Sequence, residues 1–177
     1  MADYRAYATA CIEALQHWYN WRNGLWKTTN WWNAANALEA IIDYTSLTGT
    51  HRFDSIITNT FEKQKKKSNN FSRDFYDDQL WWALTWVKAY DLTHMNQYLE
   101  MATHIFHNVT FAWDNKCGGG LWWDTKRSYK NAITNELFLT LAARLYKRTH
   151  AAEYLEAATG EWNWFLKSGM PVSYTHL

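Results

Sequence analysis

Proline is nearly absent from this chain: Pro171 is the one proline in 177 residues, beside seven glycines and two cysteines. With so few of the helix-breaking residues, the chain reads as nearly all helix. Cys11 and Cys117 stand in no metal or redox spacing and read as free thiols. An excess of one charge is missing too. Eighteen Lys and Arg against seventeen Asp and Glu give a formal charge of +1, so neither nucleic acid nor an anionic membrane is expected as a partner. The basic run 63-KQKKK-67 reads as the solvated end of a helix. No apolar run approaches the roughly 18 residues that cross a bilayer, so no membrane span is expected. The opening residues, MADYRAYATA, lack the charged-then-apolar layout of a signal peptide.

Aromatic rings are in excess: 13 tryptophans, 11 tyrosines and 8 phenylalanines. A buried indole needs a partner for its N–H. Three tryptophan pairs are adjacent, Trp31-Trp32, Trp81-Trp82 and Trp122-Trp123. Neighbours on a helix point about 100° apart, so both rings of a pair do not fit one core stripe. One ring of each pair is expected in the core and the other in a cleft.

Apolar residues recur at helical spacing in Leu80, Leu84 and Val87, and again in Leu137, Leu141 and Leu145. The pattern predicts seven helices, near 4–22, 31–47, 51–66, 77–91, 95–109, 131–147 and 151–167. Between the last two pairs, 115-NKCGGG-120 is a glycine-rich turn followed by the short extended piece LWWD. There is an internal repeat. Tyr90-x2-Thr93-His94-x3-Tyr98-Leu99-Glu100 recurs as Tyr146-x2-Thr149-His150-x3-Tyr154-Leu155-Glu156, and a looser copy spans Tyr44, Thr48, Gly49 and Phe53. Each copy sits where one helix ends and the next begins, so the unit is a helical hairpin. Such an array is an open solenoid or part of a closed ring, and the period fits either. The tail over 170–177, ending PVSYTHL, fits no helical pattern and reads as lying outside the domain.

The chemistry concentrates in 74-DFYDDQLWW-82. Asp77 and Asp78 open a predicted helix beside the Trp81-Trp82 pair. Acids are favoured in a first helical turn, and Asp74 or Asp77 suits an N-cap; that reading stands beside a chemical one. Carboxyls from consecutive helical residues can stay about 5–6 Å apart, near the separation of nucleophile and acid/base in a retaining glycosidase. The helix N-terminus favours an ionised nucleophile, while indole contact and mutual repulsion raise the other carboxyl's pKa. Indole faces suit the C–H faces of a sugar. Asn33, Asn36, Lys130, Asn131 and Asn135 are polar residues set in apolar or aromatic helix, and need either sugar hydroxyls or neighbouring helices as partners. His104 and His107 lack a third ligand, so no metal is expected, and 118-GGG-120 lacks the Lys-Ser/Thr of a phosphate loop. No cofactor is expected. Asn70-Phe71-Ser72 and Asn108-Val109-Thr110 match the glycosylation sequon, a short pattern with a high chance rate.

Four stretches carry a resemblance: 31-WWNAANALEAIIDYTSLTG-49, 75-FYDDQLWWALTWVKAYDLT-93, 117-CGGGLWWD-124 and 129-YKNAITNELFLTLAARLY-146. Together, in this order and over roughly residues 15–169, they resemble glycoside hydrolase family 76, the endo-α-1,6-mannanases and related fungal cell-wall transglycosidases. The resemblance implies an all-α fold in which residues 1–169 form about half of an (α/α)6 barrel. It also implies a retaining glycosidase acting on α-1,6-linked mannan, with Asp77 as nucleophile and Asp78 as acid/base. Combined with the aromatic and polar residues above, the expected substrate-binding set is Trp31, Trp32, Asn33, Asn36, Tyr76, Trp81, Trp82, Trp122, Trp123, Lys130, Asn131 and Asn135. Further expectations are α-mannan as partner, a monomer, and a longer parent protein that is secreted or held at the cell surface. A non-catalytic carbohydrate-binding fragment, a mannan transglycosidase and a helical-repeat interaction module are the alternatives.

Overall fold

The structure, a computed structural model, describes residues 3–170; the tail expected over 170–177 therefore lies, from residue 171 on, outside the described residues. Among them are seven α-helices: α1 (Tyr4–Gln16), α2 (Trp31–Thr48), α3 (Asp54–Lys67), α4 (Tyr76–Thr93), α5 (Asn96–Thr110), α6 (Ala132–Thr149) and α7 (Ala152–Lys167). One expected boundary is corrected. Helix α1 ends at Gln16 instead of running to residue 22, and a two-stranded antiparallel hairpin follows, β1 (Tyr19–Asn20) and β2 (Leu25–Trp26). Turn chemistry outweighs the helical period here: the Asn20 and Asn23 side chains accept from the Arg22 and Leu25 N–H groups, and Gly24 sits at φ 72°.

Helix α4 is the centre of the packing. It lies between α2 and α6, and α5 folds back along it. Leu80, Trp82, Ala83, Leu84, Thr85, Trp86, Val87 and Ala89 are all buried, which covers more than one helical face. Trp82 stacks on Trp86 at 5.6 Å, and Trp86 stacks on Tyr98 of α5 at 5.6 Å. Phe61 of α3 meets Trp86 and Tyr98 edge-on, each at 5.0 Å. Charges join the same helices at their rims: Lys88 of α4 reaches Glu39 (2.6 Å) and Asp43 (2.8 Å) of α2, and Arg148 of α6 pairs with Asp91.

The internal repeat proves to be a helix-ending device. Gly49, His94 and His150 occupy the left-handed region at φ 68°, 55° and 56°, each closing a helix by donating its N–H to a carbonyl one turn back. Thr48, Thr93 and Thr149 bond the carbonyls four residues earlier, and Thr93 and Thr149 also accept from the first N–H beyond the cap. Each chain reversal then drops Phe53, Tyr98 or Tyr154 into the core. In the basic run the lysines are exposed, while Gln64 turns inward to bond the Trp31 indole and the Asn23 carbonyl. Both cysteines are free, and no described helix is long and apolar enough to cross a membrane.

One buried charge site is expensive. Glu161 on α7 is fully buried, and neither carboxyl oxygen has a hydrogen-bond partner among the described residues. Burial pushes its pKa from 4.5 up to about 8, with Lys130 opposing. The unfolded chain thus loses this proton first, so stability falls as pH climbs between those two values. Glu161→Gln is expected to flatten that dependence and to raise Tm at pH 8 by on the order of 5 °C. Thermal denaturation at pH 5 and pH 8 checks this; an unchanged pH slope would mean that Glu161 is not the group responsible.

Candidate active site

The start of α4 is set from outside the helix. Its N-cap residue is Phe75, and neither Asp74 nor Asp77 serves as a side-chain cap. A strip of extended chain supports it instead. Phe75 pairs with Asp124 in an isolated β-bridge, Tyr76 N–H donates to the Trp123 carbonyl (2.8 Å), and Thr125 N–H donates to the Asp74 carbonyl (2.9 Å). Asp77 and Asp78 are left as half-buried residues of the first turn, with the Asp78 N–H bonded to Asp77 Oδ1 at 3.0 Å.

They open onto a cleft of about 500 Å³, lined by Asn30, Trp31, Trp32, Phe75, Asp77, Asp78, Trp81, Trp123 and Ile133. The lining comes from the N-terminal ends of α2, α4 and α6 and from the 121–129 strip. Two aromatic groups wall it: Trp32 stacks on Trp81 at 6.1 Å, and Trp123 contacts Phe75 at 4.6 Å and Tyr129 at 5.0 Å. A second cavity, about 400 Å³ beside Cys117 and Trp164, has no acid in its lining.

The two carboxyls differ in their electrostatics. Burial raises the Asp77 pKa, and the Trp123 side chain and nearby backbone N–H groups hold it down in part. Asp78 is pushed up to about 6, by burial first and then by the negative charge of Asp77, with Arg73 opposing. At neutral pH the site holds an acid that readily gives up and regains a proton.

The tryptophan pairs divide between cleft and core. Trp81 and Trp123 line the cleft, whereas Trp82 is fully buried and Trp122 is 8% exposed. Trp31 and Trp32 both line it, although the Trp31 ring also packs on Phe71 and Trp82. Several residues expected to touch substrate lie elsewhere. Asn33 and Tyr76 are half-buried outside the lining, and Asn36 bonds the Trp32 carbonyl at 3.4 Å. Trp82 belongs to the core stack, and Trp122 gives its N–H to Asp114. Asn131 is the N-cap of α6, and Asn135 bonds both backbone groups of Leu121. Lys130, its side chain 3% exposed, donates to the carbonyls of Asp114, Lys116 and Gly119 and to Asp114 Oδ1. Lys130 and Asn135 are thus satisfied by the 113–124 segment, and they hold the strip that carries Trp123. The strip is also clamped from α7. Trp164 bonds the Cys117 carbonyl at 3.1 Å and lies so close to Gly120 that a Cβ there would come within 2.2 Å of the ring.

Asn30, Phe75 and Ile133 were not among the expected residues. Phe75 lies two residues before Asp77 in sequence, and Ile133 is an apolar residue at a helix start, so both left a faint signal. Among the described residues no group of three or more His, Cys, Asp or Glu side chains is poised to hold a metal, and His104 bonds Asn108. Lys130→Met would leave Asp114 and three carbonyls short of their donor, and is expected to lower stability by about 2–4 kcal/mol. Chemical denaturation measures this. A loss below about 0.5 kcal/mol, the scale of an ordinary surface change, would contradict the clamp.

The sequence pattern of glycosyl hydrolase family 76 matches residues 4–176. Mannan endo-1,6-alpha-mannosidase DCW1 of Eremothecium gossypii is 28% identical over 158 residues, covering 79% of this chain and 35% of the relative. The Candida albicans protein of the same name is equally similar. Among solved structures, the α-1,6-mannanase GH76A of Salegentibacter sp. HEL1_6 superposes with a TM-score of 0.87 at 25% identity, over 94% of this chain and 52% of that one. That structure is an inactive variant, with two consecutive aspartates replaced by alanine, bound to α-1,6-mannotetraose. This chain spans about a third of the length of the curated relatives it matches and about half of the solved chain. The seven helices among the described residues form about half of an (α/α)6 barrel.

Proposed function

We propose, from the premise that this chain belongs to glycosyl hydrolase family 76, that its cleft is the catalytic centre of a retaining glycosidase acting on α-1,6-linked mannan. The observation that carries the reading is the cleft itself, in which the chain's single pair of consecutive aspartates faces indole walls. The mannanase rendered inactive by replacing two consecutive aspartates supports it.

In this reading Asp77 is the nucleophile. Its carboxylate attacks the anomeric carbon, the glycosidic C–O bond breaks, and Asp78 hands its proton to the departing oxygen. Asp78, now a carboxylate, takes a proton from water, and that water's oxygen displaces Asp77 from the sugar. Two inversions leave the configuration retained. Trp32, Trp81 and Trp123 offer apolar faces to the sugar rings, and their burial of the acids keeps Asp78 protonated up to about pH 6. A sugar hydroxyl taking the place of water would make the same site a transglycosidase. The polymer is too large to enter a cell, so the parent protein would act outside the cell or at its surface.

Two variants made in the complete parent protein test the roles. Asp77→Asn is expected to cut turnover of every substrate by about 10³-fold or more, because no ester can form. Asp78→Asn should lose less with a phenolate leaving group that needs no proton, and azide should restore part of its rate. Near-normal turnover by Asp77→Asn would reverse or remove the assignment. A pH profile adds a second check. Turnover needs Asp78 protonated and Asp77 ionised, so the rate should fall as pH rises through about 6 and fall again at acid pH as Asp77 takes up its proton.

A further inference from the structure

The segment leading into the acid pair has an uncommon backbone. Asn69, Asn70 and Phe71 hold φ values of 48°, 56° and 62°, three successive non-glycine residues in the left-handed region. L-residues enter that region singly, not in runs, unless their surroundings impose it. Here the surroundings do. Ser68 Oγ accepts from the Phe71 N–H (3.2 Å), Asn70 N–H bonds the Lys65 carbonyl (3.0 Å), and Ser72 N–H bonds the Ser68 carbonyl (2.8 Å). Phe71 itself is fully buried against Trp31, Phe61, Trp82 and Trp86.

The burial of Phe71 decides where Arg73 goes. Its guanidinium carbon lies 4.3 Å from the centre of the Trp31 ring, a ring that lines the cleft. The Arg73 carbonyl is held by buried Gln79 at 2.6 Å, and the next carbonyl, of Asp74, by the Thr125 N–H. The backbone at Arg73 is thus held by two donors, and its cation, seated on Trp31, is set within electrostatic reach of Asp78. Of the residues that line the cleft beside Asp78, from α2, α4, α6 and the strip, Asp77 alone is charged. Asp124 and Arg127 act on the neighbouring Tyr76, and Asp124 is bonded to Ser128.

We propose that Arg73 is a positioning residue for the acid pair, held on the Trp31 face by the left-handed turn so that its charge keeps Asp78 able to serve as base as well as acid. The proposal rests on the reading of Asp78 as acid/base. That residue has two opposite tasks. While Asp77 is a free carboxylate, repulsion keeps Asp78 protonated, as the first step requires. Once Asp77 is esterified its charge is gone. Arg73 is then the opposing charge that acts on Asp78, and it favours the Asp78 carboxylate that must take a proton from water. Without the cation, a carboxyl half-buried among indoles would hold its proton through the second step and slow release of the sugar.

Arg73 is exposed, so its side chain can be exchanged without opening the core. The test is a carbon-13 NMR titration of the Asp78 carboxyl in this chain and in Arg73→Met, Arg73→Gln and Arg73→Lys. Both uncharged variants should titrate higher by roughly half a unit or more, and Arg73→Lys should return most of the way. The measurement needs no turnover. An unmoved midpoint in both uncharged variants overturns the proposal, whether or not the enzyme is active. A moved midpoint in a parent protein inert toward α-1,6-mannan overturns the glycosidase reading and leaves the charge effect standing.

Discussion

Helix α4 is hydrophobic around most of its circumference, and its rings stack continuously from Trp82 through Trp86 to Tyr98 on α5. Fully burying one large apolar side chain is worth about 1.5–3 kcal/mol, and α4 buries Leu80, Trp82, Leu84, Trp86 and Val87 together. Such a helix cannot slide or rotate without exposing indole. Its first turn is therefore a fixed point, and Asp77 and Asp78 stand on it. Phe71 joins the same stack from the preceding turn, so the chain entering α4 is anchored by the packing that anchors the helix.

Around this fixed point the cleft is assembled from pieces that cannot hold themselves. The 113–124 segment has little regular structure, yet Lys130 just before α6, Asn135 on α6 and Trp164 on α7 bind its backbone. It returns the support by bonding Tyr76 and by presenting Trp123 to Asp77. Residues that touch no cleft surface thus decide where a cleft residue stands. The electrostatics follow from the same geometry: two carboxyls half-removed from water, one favoured by N–H donors, the other repelled by its neighbour and steadied by Arg73.

Much of this was legible in the residues because the signals are local. The doublet Asp77-Asp78 and the adjacent tryptophans lie in one short run, and the Tyr-x2-Thr-His repeat marks helix ends through bonds made within a turn. The division of the Trp81-Trp82 pair follows from helical angle alone. What spacing could not reveal depends on long-range contacts. Lys130 and Asn135 look like polar residues seeking a ligand until the 113–124 strip is seen on them. The helix expected over 4–22 overran because aromatic spacing outweighed the turn residues Asn20, Asn23 and Gly24, whose bonds form the hairpin. Arg73 was hidden because its place depends on the Trp31 ring of α2, a contact that no local spacing reveals.

The central claim is that the indole-walled cleft at the start of α4 receives an α-1,6-linked mannan segment. Residue-resolved NMR of the indole N–H groups during titration with α-1,6-mannotetraose tests it most directly. The account predicts shifts for Trp32, Trp81 and Trp123, with Trp86 and Trp26, both buried away from the cleft, unmoved. Millimolar ligand that leaves those three signals in place, or that moves only tryptophans outside the cleft, would contradict it.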